Sequence, residues 1–142
     1  MIIGILKEQK KFECRVAATP ETVKKLIKIN QEIWVEKDAG EASLISDKEY
    51  LNAGAKIVTR KEVLKSNLIL QVQAMAESDI EQLNSSQYIV GMLEPFNLTL
   101  KQHILSKKIK AFALESMPRN SRAQSMDVLS SQANIAGYKA VM

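Results

Sequence analysis

Short apolar runs alternate about six times with amphipathic segments along this chain, and no other feature limits its fold as much. Ile2 to Leu6 is an apolar run bounded by Lys7 and Glu8, the pattern of a buried strand. Thr19 then caps a helix with Pro20 at its first position and Glu21 in its first turn. Val23, Leu26, Ile27 and Ile29 give that helix an apolar side, and Asn30 ends it. Further strands are expected at Glu32 to Glu36, Lys56 to Val58, Leu68 to Val72, Tyr88 to Met92 and Ile109 to Leu114. The intervening helices are one capped by Asp47 and ended by Gly54, one opened by a Thr59–Glu62 capping box and reaching Lys65, a short one over Ser78 to Leu83, and one from Asn97 to about Lys107. Alternation of this kind implies right-handed crossovers. The expected fold class is therefore α/β: a mostly parallel twisted sheet with helices on both faces, a Rossmann-like or flavodoxin-like three-layer arrangement ending in a long helix.

Ligands in such folds gather outside the carboxyl ends of the strands. The loops Lys7 to Arg15, Ala74 to Glu77, Glu94 to Asn97 and Glu115 to Ser121 all follow strands. No Gly-x-Gly-x-x-Gly occurs, so the phosphate-cradling turn of a nucleotide domain is absent from these residues.

The chain's 142 residues are enough for one domain with a real core, and 46% hydrophobic with 25% charged residues is ordinary for a soluble globular protein. Its apolar runs are far too short to span a bilayer, and no signal-peptide pattern precedes the first strand, so a cytoplasmic chain without membrane insertion is expected. The single cysteine, Cys14, agrees with a reducing compartment. His103 has no partner at metal-ligand or catalytic spacing, and neither it nor Cys14 is assigned a role. The net charge of +4 comes from scattered basic residues without aromatic interleaving, which reads as solvated helix faces and excludes nucleic acid as the expected partner.

The last stretch, Met117 to Met142, departs from the ordinary pattern. Pro118-Arg119-Asn120 makes a rigid turn carrying a guanidinium, and Ser121 with Gln124 has the spacing of a capping box. At helical spacing Gln124, Asp127, Ser131 and Asn134 share one face with Ser130 beside them, while Met126, Leu129, Ala133, Ala136 and Ala140 form the other. No charged side chain lies between Asp127 and Lys139. Chemistry alone leaves two readings: Gln124 and Asp127 only shape a helix N-terminus, or the polar stripe meets a polar ligand.

The run from Pro118 to Tyr138 resembles, nearly letter for letter, the NAD-binding alpha subunits of proton-translocating NAD(P) transhydrogenases. Glu13-Cys14-Arg15-Val16-Ala17-Ala18-Thr19-Pro20 resembles a motif shared by alanine dehydrogenase and transhydrogenase, and Ala39-Gly40, Asp47, Tyr50 and Ala53-Gly54-Ala55 match a second shared block. The resemblance implies that residues 1–120 are a first lobe and that residues 121–142 are an interdomain helix leading to an NAD-binding Rossmann lobe. On that view the chain looks truncated where the nucleotide domain should begin. By the same resemblance Arg119, Gln124, Asp127 and Ser130 bind the nicotinamide end of the cofactor, with Gln124 and Asp127 in the catalytic role. NAD(H) would be the cofactor of the complete subunit and NADP(H) that of a partner domain. A membrane domain and a second copy in a homodimer complete the implied partners, with the chain peripheral to the inner membrane. The implied activity is hydride transfer between NADH and NADP coupled to proton translocation, and these residues by themselves are expected to be inactive.

Asn120 departs from the family pattern, which has isoleucine there. The alternative enzyme is alanine dehydrogenase, whose pyruvate site uses an Arg, a Lys and a His from this lobe. Arg15 matches the Arg, but Gln73 stands at the Lys position and Glu94 on or near the His position. Arg15 either keeps a site role or forms a structural ion pair with Glu13 or Glu36. A third reading is a non-catalytic assembly or folding module. In the final helix, Leu129, Ala133 and Ala136 are expected to pack on the lobe near the helix start, with residues after about Ile135 frayed or docked on another copy.

Overall fold

Six strands pair in parallel throughout a computed structural model that describes residues 1–142. They are β1 (Ile2–Ile5), β2 (Glu32–Glu36), β3 (Lys56–Val58), β4 (Leu68–Leu70), β5 (Tyr88–Gly91) and β6 (Lys110–Ala113), in the order β3-β2-β1-β4-β5-β6. The order reverses between β1 and β4, the crevice where doubly wound sheets hold their ligands. Helices α1 (Pro20–Lys28), α2 (Asp47–Asn52), α3 (Arg60–Val63), α4 (Glu77–Ile80) and α5 (Leu98–Ser106) make the crossovers, and α6 (Val128–Val141) follows the sheet.

Alternating side chains divide the core into two layers. On one face Ile3, Ile5, Ile33 and Val35 pack with Val23 of α1 and Tyr50 of α2. On the other, Leu6, Ile69 and Ile89 pack with Val63, Ile80, Leu100 and Ile104 of α3, α4 and α5. The expected α/β sandwich is the observed one. Its first face is incomplete over β4–β6, where Leu68, Tyr88, Val90, Phe112 and Leu114, with Met1, Met117 and Met126, line a wholly apolar groove of about 460 Å³.

Local capping follows the sequence in most places. The Thr19 hydroxyl accepts from Thr22 N at the start of α1, and Asn30 ends it with a left-handed φ of 59°. Thr59 and Glu62 form the expected reciprocal box. The cap of α2 is a correction: Ser46 holds that position with Glu49, while the Asp47 carboxylate turns back to accept from Asp38 N at 3.0 Å. A serine followed three residues later by glutamate satisfies two N–H groups at once, which a lone aspartate does not.

Two contacts fix the loops at the carboxyl ends. The buried Tyr50 hydroxyl donates to Ala18 O at 2.8 Å, tying the loop before α1 to α2, and burial pushes its pKa up to about 12. Arg60 donates to Glu36 at 2.8 Å, to Asp79 at 2.6 Å and to Lys7 O at 3.1 Å, joining β2, α3, α4 and the loop after β1. No helix is long and apolar enough to cross a membrane.

Candidate functional site

The stretch after β6 is irregular before it is helical. Asn120 Oδ1 accepts from Ala123 N at 3.0 Å, closing a turn that buries Ala123, the only buried residue beyond Ile109. A short 3-10 turn over Gln124–Met126 follows, and α6 begins only at Val128. The Ser121–Gln124 capping box therefore does not form. The helix starts too late for it: Asn120 closes a separate turn on Ala123 N–H, and Asp127 caps α6 instead, its Oδ1 accepting from Leu129 N at 3.0 Å and Ser130 N at 3.2 Å. Asn120 shapes the Arg119 turn by a hydrogen bond that an isoleucine could not make.

This path brings Arg119, Gln124, Asp127 and Ser130 together around one cavity of about 350 Å³, shared with Pro118, Asn120, Ser121 and Ala123. Ser130 Oγ donates to Asp127 Oδ2 at 2.6 Å. That hydroxyl, followed by the Ser130 and Leu129 N–H groups and the Arg119 charge, holds the Asp127 carboxyl below its usual range. The side chains of Arg119 and Gln124 make no hydrogen bond within the chain. The cavity thus offers free guanidinium donors, a free primary amide and one remaining lone-pair position on Asp127 Oδ2, a donor and acceptor set that fits a carboxamide.

A second polar cluster spans the ends of β1, β4 and β5. Arg15 grips Glu13 with Nε at 2.8 Å and Nη2 at 2.7 Å, and Gln73 Nε2 donates to the same carboxylate at 2.7 Å. This settles Arg15's ion pair on Glu13, since Glu36 belongs to Arg60. The Arg15 fork, first of all, pulls Glu13 down to a pKa of about 2. Lys10 Nζ meets Glu94 Oε1 at 3.0 Å and lies 3.5 Å from Gln73 Oε1. So Arg15, Gln73 and Glu94 do converge, but a carboxylate occupies the guanidinium and no histidine is near. Glu8 bridges from the loop after β1, its carboxylate accepting from Val72 N at 2.6 Å and Gln73 N at 3.0 Å.

Sequence reading passed over Gln71. It is 5% exposed, both atoms of its amide lack a hydrogen-bond partner, and it lies between the polar cavity of the β1–β4 crevice and an apolar one bounded by α6. Gly91 makes room for it: a Cβ there would stand 2.5 Å from Gln71 O. Nothing in the strand pattern distinguishes such an amide from a solvated one.

Residues 4–136 match the family described as alanine dehydrogenase/PNT, N-terminal domain. The chain belongs to that family. It is 41% identical over its full length to the NAD(P) transhydrogenase subunit alpha of Haemophilus influenzae, of which it covers 28%. A transhydrogenase structure from Sinorhizobium meliloti superimposes with a TM-score of 0.95 at 40% identity, over 99% of this chain and 43% of that one. Alanine dehydrogenase 1 of Staphylococcus aureus is 32% identical, with 38% of its length covered. This alanine dehydrogenase/PNT domain thus spans less than half the length of each relative.

Proposed function

We propose that the chain is the first lobe of the NAD(H)-binding alpha subunit of a proton-translocating NAD(P) transhydrogenase. In this reading residues 1–120 form the lobe and residues 121–142 lead toward a nucleotide-binding lobe. The complete subunit binds NAD(H) as a homodimer peripheral to the membrane, beside an NADP(H)-binding domain and a membrane domain. The observation that carries the reading is the gathering of Arg119, Gln124, Asp127 and Ser130 around one cavity with a carboxamide's complement of donors and acceptors. Arg119 would donate to the carboxamide oxygen, Asp127 Oδ2 and Ser130 would hold its NH2, and Gln124 at the rim would contact the second nucleotide.

Bound nicotinamides supply the hydride donor and acceptor. The chain's part is to orient the ring and keep it dry, which needs no protein acid or base. Without a Gly-x-Gly-x-x-Gly, these residues on their own bind NADH weakly and transfer no hydride.

Gln124→Asn tests the reading. In the complete subunit at saturating nucleotides, hydride transfer should slow about tenfold or more with melting temperature unchanged, because a shortened side chain misplaces the rings. Equal rates would remove Gln124 from the nucleotide-binding residues. Alanine formation from pyruvate, ammonia and NADH is expected to be absent, because Gln73 and Glu94 supply neither a cation nor an acid–base imidazole, and measurable turnover would favour the alanine dehydrogenase reading.

A further inference from the structure

Helix α6 carries Ser130 and is capped by Asp127, yet from Leu129 onward every one of its residues is exposed. An isolated helix of this length is marginal in water, so its direction depends on whatever holds it to the lobe. Apart from Ser130 on the Asp127 cap, its side chains make a single hydrogen bond to the rest of the chain, Arg15 Nη1 donating to Gln132 Oε1 at 2.9 Å across 117 residues of sequence. Gln132 and Val128, one turn apart, face a cavity of about 340 Å³ lined by Arg15, Val16 and Ala17. Asp127 and Ser130 face the other cavity, so α6 is the wall between the two.

The far side of this contact is held by several hydrogen bonds. Glu13, whose side chain is 8% exposed, takes Arg15 Nε, Nη2 and backbone N together with Gln73 Nε2. Two arms of the guanidinium are fixed on the carboxylate, and the planar fork leaves the third aimed at Gln132.

We infer that Arg15 is a positioning residue: held by Glu13, it latches α6 through Gln132 and thereby sets the width of the cavity formed by Arg119, Gln124, Asp127 and Ser130. The functional meaning of that width rests on the reading proposed above, but the latch itself does not. Without it, α6 pivots at its Asp127 cap, and Ser130 moves with the helix while Arg119 stays on its turn. A lysine at position 15 keeps the charge for Glu13 but loses the arm that reaches Gln132.

Amide hydrogen exchange on the full chain tests the latch. In Gln132→Leu, which leaves the Glu13–Arg15 pair intact, residues 129–135 should exchange about threefold to tenfold faster, the range a single exposed hydrogen bond supplies, with β1–β5 unchanged. Arg15→Lys should do the same, and adding Gln132→Glu to it should restore slow exchange through a new Lys–Glu pair. Unchanged exchange of α6 in Gln132→Leu, or no rescue in the double variant, overturns the latch. In the complete subunit Gln132→Leu should also slow hydride transfer. Unaltered transfer with a loosened α6 overturns the positioning role, while leaving the nucleotide assignment to the separate Gln124→Asn result.

Discussion

Ile69 in β4 and Ile135 in α6 are the same amino acid under opposite conditions. Ile69 is 0% exposed in a cluster of twelve buried residues, whereas Ile135 is 61% exposed. The same contrast separates residues 1–113, held by two apolar layers, from residues 117–142, of which only Ala123 is buried and which a turn, a cap and one long-range hydrogen bond position. Burial fixes the body non-directionally and strongly, while a few directional bonds fix the tail weakly but at defined angles. The candidate site lies on the weakly held part. Its geometry is therefore more sensitive to single polar substitutions than the stability of the fold is.

The largest test of this contrast is Ile69→Ala. It should destabilise the chain by about 3 kcal/mol in urea unfolding, through lost transfer energy and the cavity left behind. A loss well under 1 kcal/mol would mean that the body is not held as its packing implies.

Acid should act selectively on the junction between the parts. The Glu13 pKa is depressed in the folded chain, so the stability it contributes is complete above the ordinary value of 4.5 and is lost as pH falls toward about 2. As the pH approaches about 2, where the folded-state carboxylate takes up its proton and releases Arg15, α6 should loosen before the β-sheet does. Exchange corrected for its intrinsic pH dependence would read this, and loss of both at one pH would erase the distinction.

The smallest effect belongs to Ile135→Ala, expected to change global stability by less than about 0.5 kcal/mol in the same urea titration. A loss comparable to that of Ile69→Ala would show that α6 is packed in solution, and concentration dependence would identify a second copy as what it packs on.

The sequence showed the body well and the tail poorly, for one physical reason. Thr19-Pro20, Thr59 with Glu62, and Asn97 are local signals, and each caps the helix expected of it. Period-two alternation at Ile3, Ile5, Ile33 and Val35 likewise reports a buried face. In the tail several short polar residues could each cap a turn, and spacing cannot say that Asn120 and Asp127 do so while Ser121 does not. The apolar spacing of Leu129, Ala133 and Ala136 predicted packing on the lobe, yet all three are exposed, because periodicity names a face and not its partner. The four residues inferred for the site do line a common cavity, but the Arg15–Gln132 contact had no local trace.

Glu8 carries a consequence for the crevice between β1 and β4. Its carboxylate takes the N–H groups of Val72 and Gln73 in the crevice where the strand order reverses, the place where such sheets hold ligands. Burial, the largest influence, raises its pKa, so the position costs solvation and is held by those two donors. Because the carboxylate is tethered, its effective concentration at the donors is of the order of millimolar or higher, and a free anion must compete with it at every encounter. The lobe has the strand order of a dinucleotide-binding domain, yet two backbone donors at its switch point are already taken by a carboxylate of the same chain.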